Sequence, residues 1–206
     1  MRKDFVILAS ESPRRQALLR QIGVAFEVRA PAVAEVRRAH EAPAEFVDRI
    51  AKAKAETVWG ATAALGVPVV GADTVVVIDG DVLGKPGTRA RAIAMLERLS
   101  GRTHEVLTAV AVRHERRTES LVNASKVRFR ATTAGERAAY CESGEPLDKA
   151  GAYGIQGLGA VFVEDLRGSY SGVMGLPLHE TARLLARFSI PAWLCAADDG
   201  YPATAT

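Results

Sequence analysis

The period of apolar and polar positions switches repeatedly along this chain, and each switch predicts a new element. Phe5–Ala9 is a continuous apolar run and predicts a buried strand; Leu18, Leu19 and Ile22 then lay an apolar stripe on a helix over 13–22. A strand over 25–30 follows, and a long helix over about 44–65 carries an apolar face through Val47, Ile50, Ala51, Val58 and Leu65. Residues 67–78 read as two consecutive strand segments, Asp79-Gly80 as a tight hairpin turn, and Val82 and Leu83 as the returning strand. A helix over 88–99 stops at Ser100-Gly101. Strands over 104–113 and 119–130 form a hairpin, a helix covers 133–143, a strand covers 160–166 after a glycine-rich stretch over 151–159, and a last helix covers about 177–188. The polar, proline-containing residues 198–206 predict a disordered tail. With no internal repeat or linker, the alternation predicts one α/β domain over 1–197, with two lobes around a cleft.

Composition narrows the class of molecule. The 206 residues, 48% of them hydrophobic, supply one ordinary core. No segment is long and apolar enough to span a membrane, and residues 1–4 lead straight into the first strand rather than into a signal peptide. Cys141 and Cys195 have neither metal-ligand spacing nor a disulfide framework, so inert thiols and a cytoplasmic setting are expected. A net charge of +3 does not argue for nucleic acid, and the basic run over 113–117 reads as a solvated hairpin tip. The mild basic bias suits an anionic small substrate.

Chemistry is sought where the pattern breaks. Ser10-Glu11-Ser12-Pro13-Arg14-Arg15 joins the first strand to the first helix. Ser12 can cap that helix and Pro13 suits its first position. Free amides, the helix dipole and guanidinium groups there favour an anion, phosphate above all, although an ordinary helix start with solvated arginines remains open. Arg14 and Arg15 lie about 100° apart on a helix, so one can clamp phosphate while the other meets a carboxylate. Lys54 falls on the apolar face of the long helix, whereas Lys52 sits on its polar face beside Asp48; Lys54 either snorkels to water or reaches a cleft. Asp73 interrupts the apolar run 69–77 and is read as catalytic or metal-binding, with a structural Asp at a bulge as the alternative. Gly71, just before it, permits a kink or a close backbone approach. Lys85, in Leu83-Gly84-Lys85-Pro86, returns towards Asp73 after the hairpin, while Glu35 lies in an irregular charged stretch. Residues 151–159 are dense in glycine, which suits backbone pressed against a ligand or a partner, or simply turns; Gln156 among them offers a donor and an acceptor to a planar polar ligand.

In this order the motifs resemble those of the Maf family of nucleotide pyrophosphatases. The resemblance is carried by Ser10 to Arg15, Gly71-Ala72-Asp73-Thr74, Leu83-Gly84-Lys85-Pro86, Leu99-Ser100-Gly101-Arg102-Thr103-His104, residues 148–157 and Gly175-Leu176-Pro177-Leu178. It implies a fold like that of the inosine-triphosphate pyrophosphatases, a mixed, strongly twisted sheet with flanking helices. It also implies a homodimer, a divalent metal (Mg²⁺ or Mn²⁺), and hydrolysis of a nucleoside triphosphate to monophosphate and pyrophosphate. The family name carries a link to septum formation. Asp73-Thr74 with Gly154-Ile155-Gln156-Gly157 is similar to the subgroup acting on dTTP and UTP, and differs from that acting on 7-methyl-GTP at Thr74 and Gln156.

By resemblance, Asp73 is the proton acceptor, Arg14, Thr74 and Gln156 set specificity, and Ser10, Arg15, Glu35, Lys54, Lys85 and Lys149 line the cleft. Combined with the residue chemistry, Ser10, Ser12, Arg15, Lys54 and Lys85 bind the triphosphate, and Asp73 with Glu35 holds the metal. No nucleic-acid or membrane partner is expected. Two rivals stay open: a regulatory protein that holds a nucleotide or a cell-division partner without turnover, and a pyrophosphatase for a purine or modified nucleotide.

Overall fold

The computed structural model describes residues 5–192. The predicted tail over 198–206 and Cys195 lie outside the described residues. The elements run β1 (Phe5–Ala9), α1 (Pro13–Gln21), β2 (Ala25–Val28), α2 (Pro43–Thr62), β3 (Val69–Ile78), β4 (Asp81–Leu83), α3 (Arg89–Leu99), β5 (Thr103–His114), β6 (Arg117–Phe129), α4 (Ala134–Glu142), β7 (Val163–Arg167), α5 (Tyr170–Met174) and α6 (Leu178–Arg187). The strands form one mixed seven-stranded sheet in the order β2-β1-β3-β5-β6-β7, with β4 paired to β3 off that path.

How β3 is shared decides where a ligand can enter. β5 runs antiparallel along one edge of β3 from Val69 to Val77. The other edge is divided: β1 pairs parallel with Val69 to Gly71, and β4 pairs antiparallel with Val76 to Ile78. Between these two partners the edge over 72–75 has no strand beside it among the described residues, and the sheet opens there beyond the carboxyl end of β1. A crevice at such a point is the usual ligand site of an open α/β sheet.

Alternation along β3 sorts the core. Val69, Val75 and Val77 pack under α2 with Val47, Ile50 and Ala55. Val70 and Ala72 face the other way, against Leu18 and Leu19 of α1 and Leu184 and Leu185 of α6. Val76 and Ile78, past the split, join a separate cluster with Leu96, Leu99 and Tyr140. Helices therefore flank both faces, and two lobes meet across the split.

Several boundaries depart from the sequence expectation. Residues over 67–78 make one ten-residue strand, not two segments. Gly71 produces no kink; its missing side chain admits α2, since a Cβ there would overlap the Ala51 carbonyl oxygen and come 2.8 Å from the Ala55 nitrogen. The strand expected over 160–166 begins at Val163, because Leu158–Phe162 is wound into a tight 3₁₀ turn. The α5 turn was not expected: five residues are too few to show a period, but Ser169 accepts a cap bond from Gly172 N.

His104 belongs to the second lobe's core. It is 2% exposed, its Nε2 lies 2.9 Å from the Tyr153 hydroxyl, and its ring meets Phe129 edge to face at 5.0 Å. Burial lowers its pKa to about 4. The unfolded chain holds the proton from about pH 6.5 down, whereas the folded chain refuses it until about pH 4, so His104 makes stability rise with pH across that window and fall as pH drops through it. The expected swing is on the order of 3 kcal/mol. Urea denaturation at pH 4.5 and 7 checks it: His104→Leu should flatten the slope, and an unchanged slope assigns acid lability elsewhere.

Candidate active site

Every candidate residue named from the sequence lines one cleft of about 970 Å³ at the split in the sheet. Its floor is β3. Asp73, 4% exposed, points to the α2 side, where Lys54, 6% exposed, reaches it from the helix's apolar face. Lys54 Nζ donates to Asp73 Oδ1 at 2.7 Å and meets Glu35 Oε1 at 2.6 Å. Lys54 is thus not snorkelling, and Lys52 binds Asp48 on the polar face as its position suggests. The irregular segment before α2 brings Glu35 over the lysine; this contact has no signature in the local sequence.

The two carboxylates that share this ammonium differ in electrostatics. Burial pushes the Asp73 carboxyl up; Lys54 and Arg15 pull it back only in part, so it ends above the ordinary range. Burial also raises Glu35, but the Lys54 hydrogen bond, with the charges of Lys54, Lys85 and Arg15, outweighs it and the net shift is downward. Carboxyls driven apart in this way mark acid–base sites. Asp73 Oδ2 and Glu35 Oε2 accept no hydrogen bond among the described residues and remain available. No group of three His, Cys, Asp or Glu side chains among the described residues could hold a metal. Two carboxylates already gathered on one cation nevertheless suit a hard divalent ion that takes its other ligands from phosphate and water.

On the opposite face of β3, Arg15 is a half-buried cross-strut. Its Nε donates to the Gly175 carbonyl at 2.8 Å, one terminal nitrogen to Ser10 Oγ at 3.1 Å and the other to Thr74 Oγ1 at 3.3 Å. Burial lowers its pKa, with Asp73 and Glu35 opposing that. The Thr108 hydroxyl donates to the Gly172 carbonyl at 2.7 Å, so the 3.0 Å contact between Thr74 and Thr108 uses the Thr74 proton. A directed chain of bonds therefore runs from Arg15 through Thr74 and Thr108 to α5. Thr108, fully buried, breaks an apolar run in β5 just as Asp73 breaks β3, a signal the sequence carries but the motifs do not use.

The strand–helix turn is held differently from the expectation. Ser12 occupies the cap position of α1 and Pro13 the first helical position, but the Ser12 side chain makes no cap bond. Ser10 does the holding: its Oγ accepts from Ser12 N at 3.3 Å and from Arg15. Both bonds use lone pairs, so the Ser10 proton stays free for a ligand. Pro13 has no N–H, so in the first turn of α1 the Arg14 and Arg15 amides are the ones left without intrahelical partners, and both residues line the same cleft. The two arginines point to different partners: Arg14 meets the Asp148 carboxylate at 3.5 Å across the cleft, while Arg15 bonds to Ser10, Thr74 and Gly175.

The second lobe supplies the remaining wall. Lys149 Nζ donates to the Glu145 carbonyl at 2.6 Å and to Asp148 Oδ1 at 2.7 Å. Lys85 and Gln156 line the cleft with no hydrogen-bond partner among the described residues. The glycines over 151–159 are not packed for turns alone; several of them close on the chain's own Val76, Tyr140, Glu145 and Lys149. Glu145 and Tyr140 carry no sequence signal for this, being one charged and one aromatic residue near a helix end. No helix among the described residues is long and apolar enough to cross a membrane.

The family model described as Maf-like protein matches residues 5–188. The dTTP/UTP pyrophosphatase of Saccharophagus degradans is 50% identical over 188 residues, covering 90% of each chain. That of Salmonella typhimurium is 50% identical over 182 residues, 88% of this chain and 92% of its own. A solved dITP/XTP pyrophosphatase from Mycobacterium abscessus is 17% identical, with a TM-score of 0.43 over 88% of this chain and 94% of its own.

Proposed function

The chain belongs to the Maf family, and on that premise we propose that it hydrolyses dTTP and UTP to the nucleoside monophosphate and pyrophosphate. The observation that carries the reading is Asp73: a buried carboxylate with one oxygen held by Lys54 and the other free, in a cleft walled by cations. A binding protein needs the cations but has no use for a buried carboxylate beside them.

In this mechanism the triphosphate lies against the Ser10–Arg15 turn. The Ser10 hydroxyl, the Ser12 side chain and the first-turn amides of α1 donate to phosphate oxygens, while Arg15, Lys54 and Lys85 offset their charge. Asp73 and Glu35 are the residues that would hold a Mg²⁺ or Mn²⁺ ion. When bound, that ion neutralises phosphate charge and orients the reacting groups. Asp73 Oδ2 takes a proton from a water whose oxygen attacks the α-phosphorus. The bond from that phosphorus to the α–β bridging oxygen breaks, and pyrophosphate departs. Positioning and charge stabilisation supply most of the rate.

The reading extends to residues 1–197 as one catalytic unit in a cytoplasmic homodimer, following the cysteine usage and the family resemblance. It is tested with the purified protein, a panel of nucleoside triphosphates and either metal. UMP and TMP with pyrophosphate support it. Turnover of 7-methyl-GTP in their place would overturn the base assignment, and nucleotide binding without turnover would overturn the reaction.

Base choice is assigned to Gln156, with Arg14 and Thr74 as the other specificity positions. Uracil and thymine present an N3–H between two carbonyls, which a free amide can match; cytosine replaces one carbonyl by an amino donor and leaves a mispaired group. Gln156→Glu should lower the UTP-to-CTP ratio of kcat/KM by tenfold or more, on the order of one lost pairing. An unchanged ratio removes Gln156 as the base reader.

A further inference from the structure

A stretch as rich in glycine as 151–159 has little conformational preference of its own, so the place of Gln156 must be imposed from outside it. The Gln156 side chain bonds to nothing among the described residues, which leaves only the backbone around it as the means of control. That backbone converges on one carboxylate. Glu145 Oε2 accepts from Leu158 N at 2.9 Å, and Oε1 accepts from Gly159 N at 3.2 Å and from the Tyr140 hydroxyl at 2.8 Å. The Tyr140 oxygen accepts in turn from Gly154 N at 3.1 Å. Amides on both sides of Gln156 are thus tied to a single carboxylate–phenol pair.

The fit is tight enough to dictate sequence. A Cβ at Gly157 would lie 2.7 Å from the Glu145 carboxyl carbon, and one at Gly159 would lie 2.7 Å from the Tyr140 oxygen. Amide bonds to an ionised carboxylate are roughly twice as strong as neutral ones. These bonds, with the Lys149 charge, keep the Glu145 carboxyl below its ordinary range although burial opposes it. At its other end, the Glu145 carbonyl accepts from Lys149, whose partner Asp148 meets Arg14 across the cleft.

We propose that Glu145 is a positioning residue for base recognition: its carboxylate templates the loop that presents Gln156, and so sets the discrimination between UTP and CTP. The proposal rests on the reading of Gln156 given above. Neither close analogue can replace it. Glutamine would turn an NH₂ towards backbone N–H or phenol donors, and aspartate is one methylene too short to reach them.

The test measures kcat and KM for UTP and CTP in the wild type, Glu145→Gln and Glu145→Ala. The UTP-to-CTP ratio of kcat/KM is expected to fall about tenfold in both variants, carried mainly by a higher KM for UTP. Adding Glu145→Gln to Gln156→Ala should lower the ratio no further, because the two act as a unit. A structural defect alone would weaken both nucleotides in proportion; an unchanged ratio overturns the proposal. Should the Glu145 variants not fold, Tyr140→Phe leaves the carboxylate in place and removes one donor and the Gly154 contact. It should lower the ratio in the same direction by a smaller factor, and a folded Tyr140→Phe protein with the wild-type ratio overturns the proposal. If instead wild type turns over UTP without preference over CTP, the base reading itself is refuted and this proposal falls with it.

Discussion

Asp73→Asn is expected to lower the turnover of UTP by at least ~10², the low end for loss of a general base. Asparagine matches aspartate in shape and can still accept the Lys54 hydrogen bond through its amide oxygen. What it loses is the basic oxygen at the Oδ2 position and the negative charge. Because Asp73 is buried at the junction of α2 and β3, the comparison needs a folded variant, which circular dichroism and a cooperative urea transition establish. The loss should fall on kcat and kcat/KM alike, as for an interaction made only in the transition state. Turnover near wild type in the folded variant would show that the buried carboxylate is a structural partner of Lys54 and nothing more.

Lys54→Met should destabilise the fold more than any other single change at the site. The side chains of Lys54 and Asp73 are 8% and 6% exposed, so their contact is shielded from solvent. Removing the ammonium leaves Asp73 buried without its direct counter-charge and Glu35 beside it. Breaking a buried pair from one side costs about 3–5 kcal/mol, whereas replacing both members by neutral groups costs far less. Lys54→Met alone should therefore shift the urea midpoint strongly downward in chelator-treated protein, and Lys54→Met with Asp73→Asn should recover most of that shift. If the single variant matches wild type, the pair contributes nothing; if the double variant is as unstable as the single one, the loss comes from packing rather than charge.

The residues legible in the sequence were those that broke a period. Lys54 on an apolar stripe and Asp73 in an apolar strand are each costly where they stand, and the structure places them against one another. The turn over Ser10 to Arg15 was legible as a strand running into a proline-started helix. The roles inside the turn were not: Ser10, rather than Ser12, holds it, because hydrogen bonding there depends on how the chain folds back and not on residue type. Glu35 gained its place through a contact with α2 that no local pattern encodes. The glycine density over 151–159 signalled close packing, but the object it packs on, Glu145, lies outside the stretch and looks like an ordinary charged residue at the end of a helix. Periodicity reported the sheet and most helices and missed α5, whose five residues complete barely more than one turn.

In the proposed mechanism a water held by Asp73 attacks the α-phosphorus of a pyrimidine nucleoside triphosphate. Hydrolysis of UTP in ¹⁸O-enriched water, with mass analysis of both products, tests it most directly. One labelled oxygen in UMP and none in pyrophosphate is the predicted result. Label in pyrophosphate would place the attack at the β-phosphorus, and UDP with inorganic phosphate would place it at the γ-phosphorus; in either case Asp73 does not aim the water at the α-phosphorus.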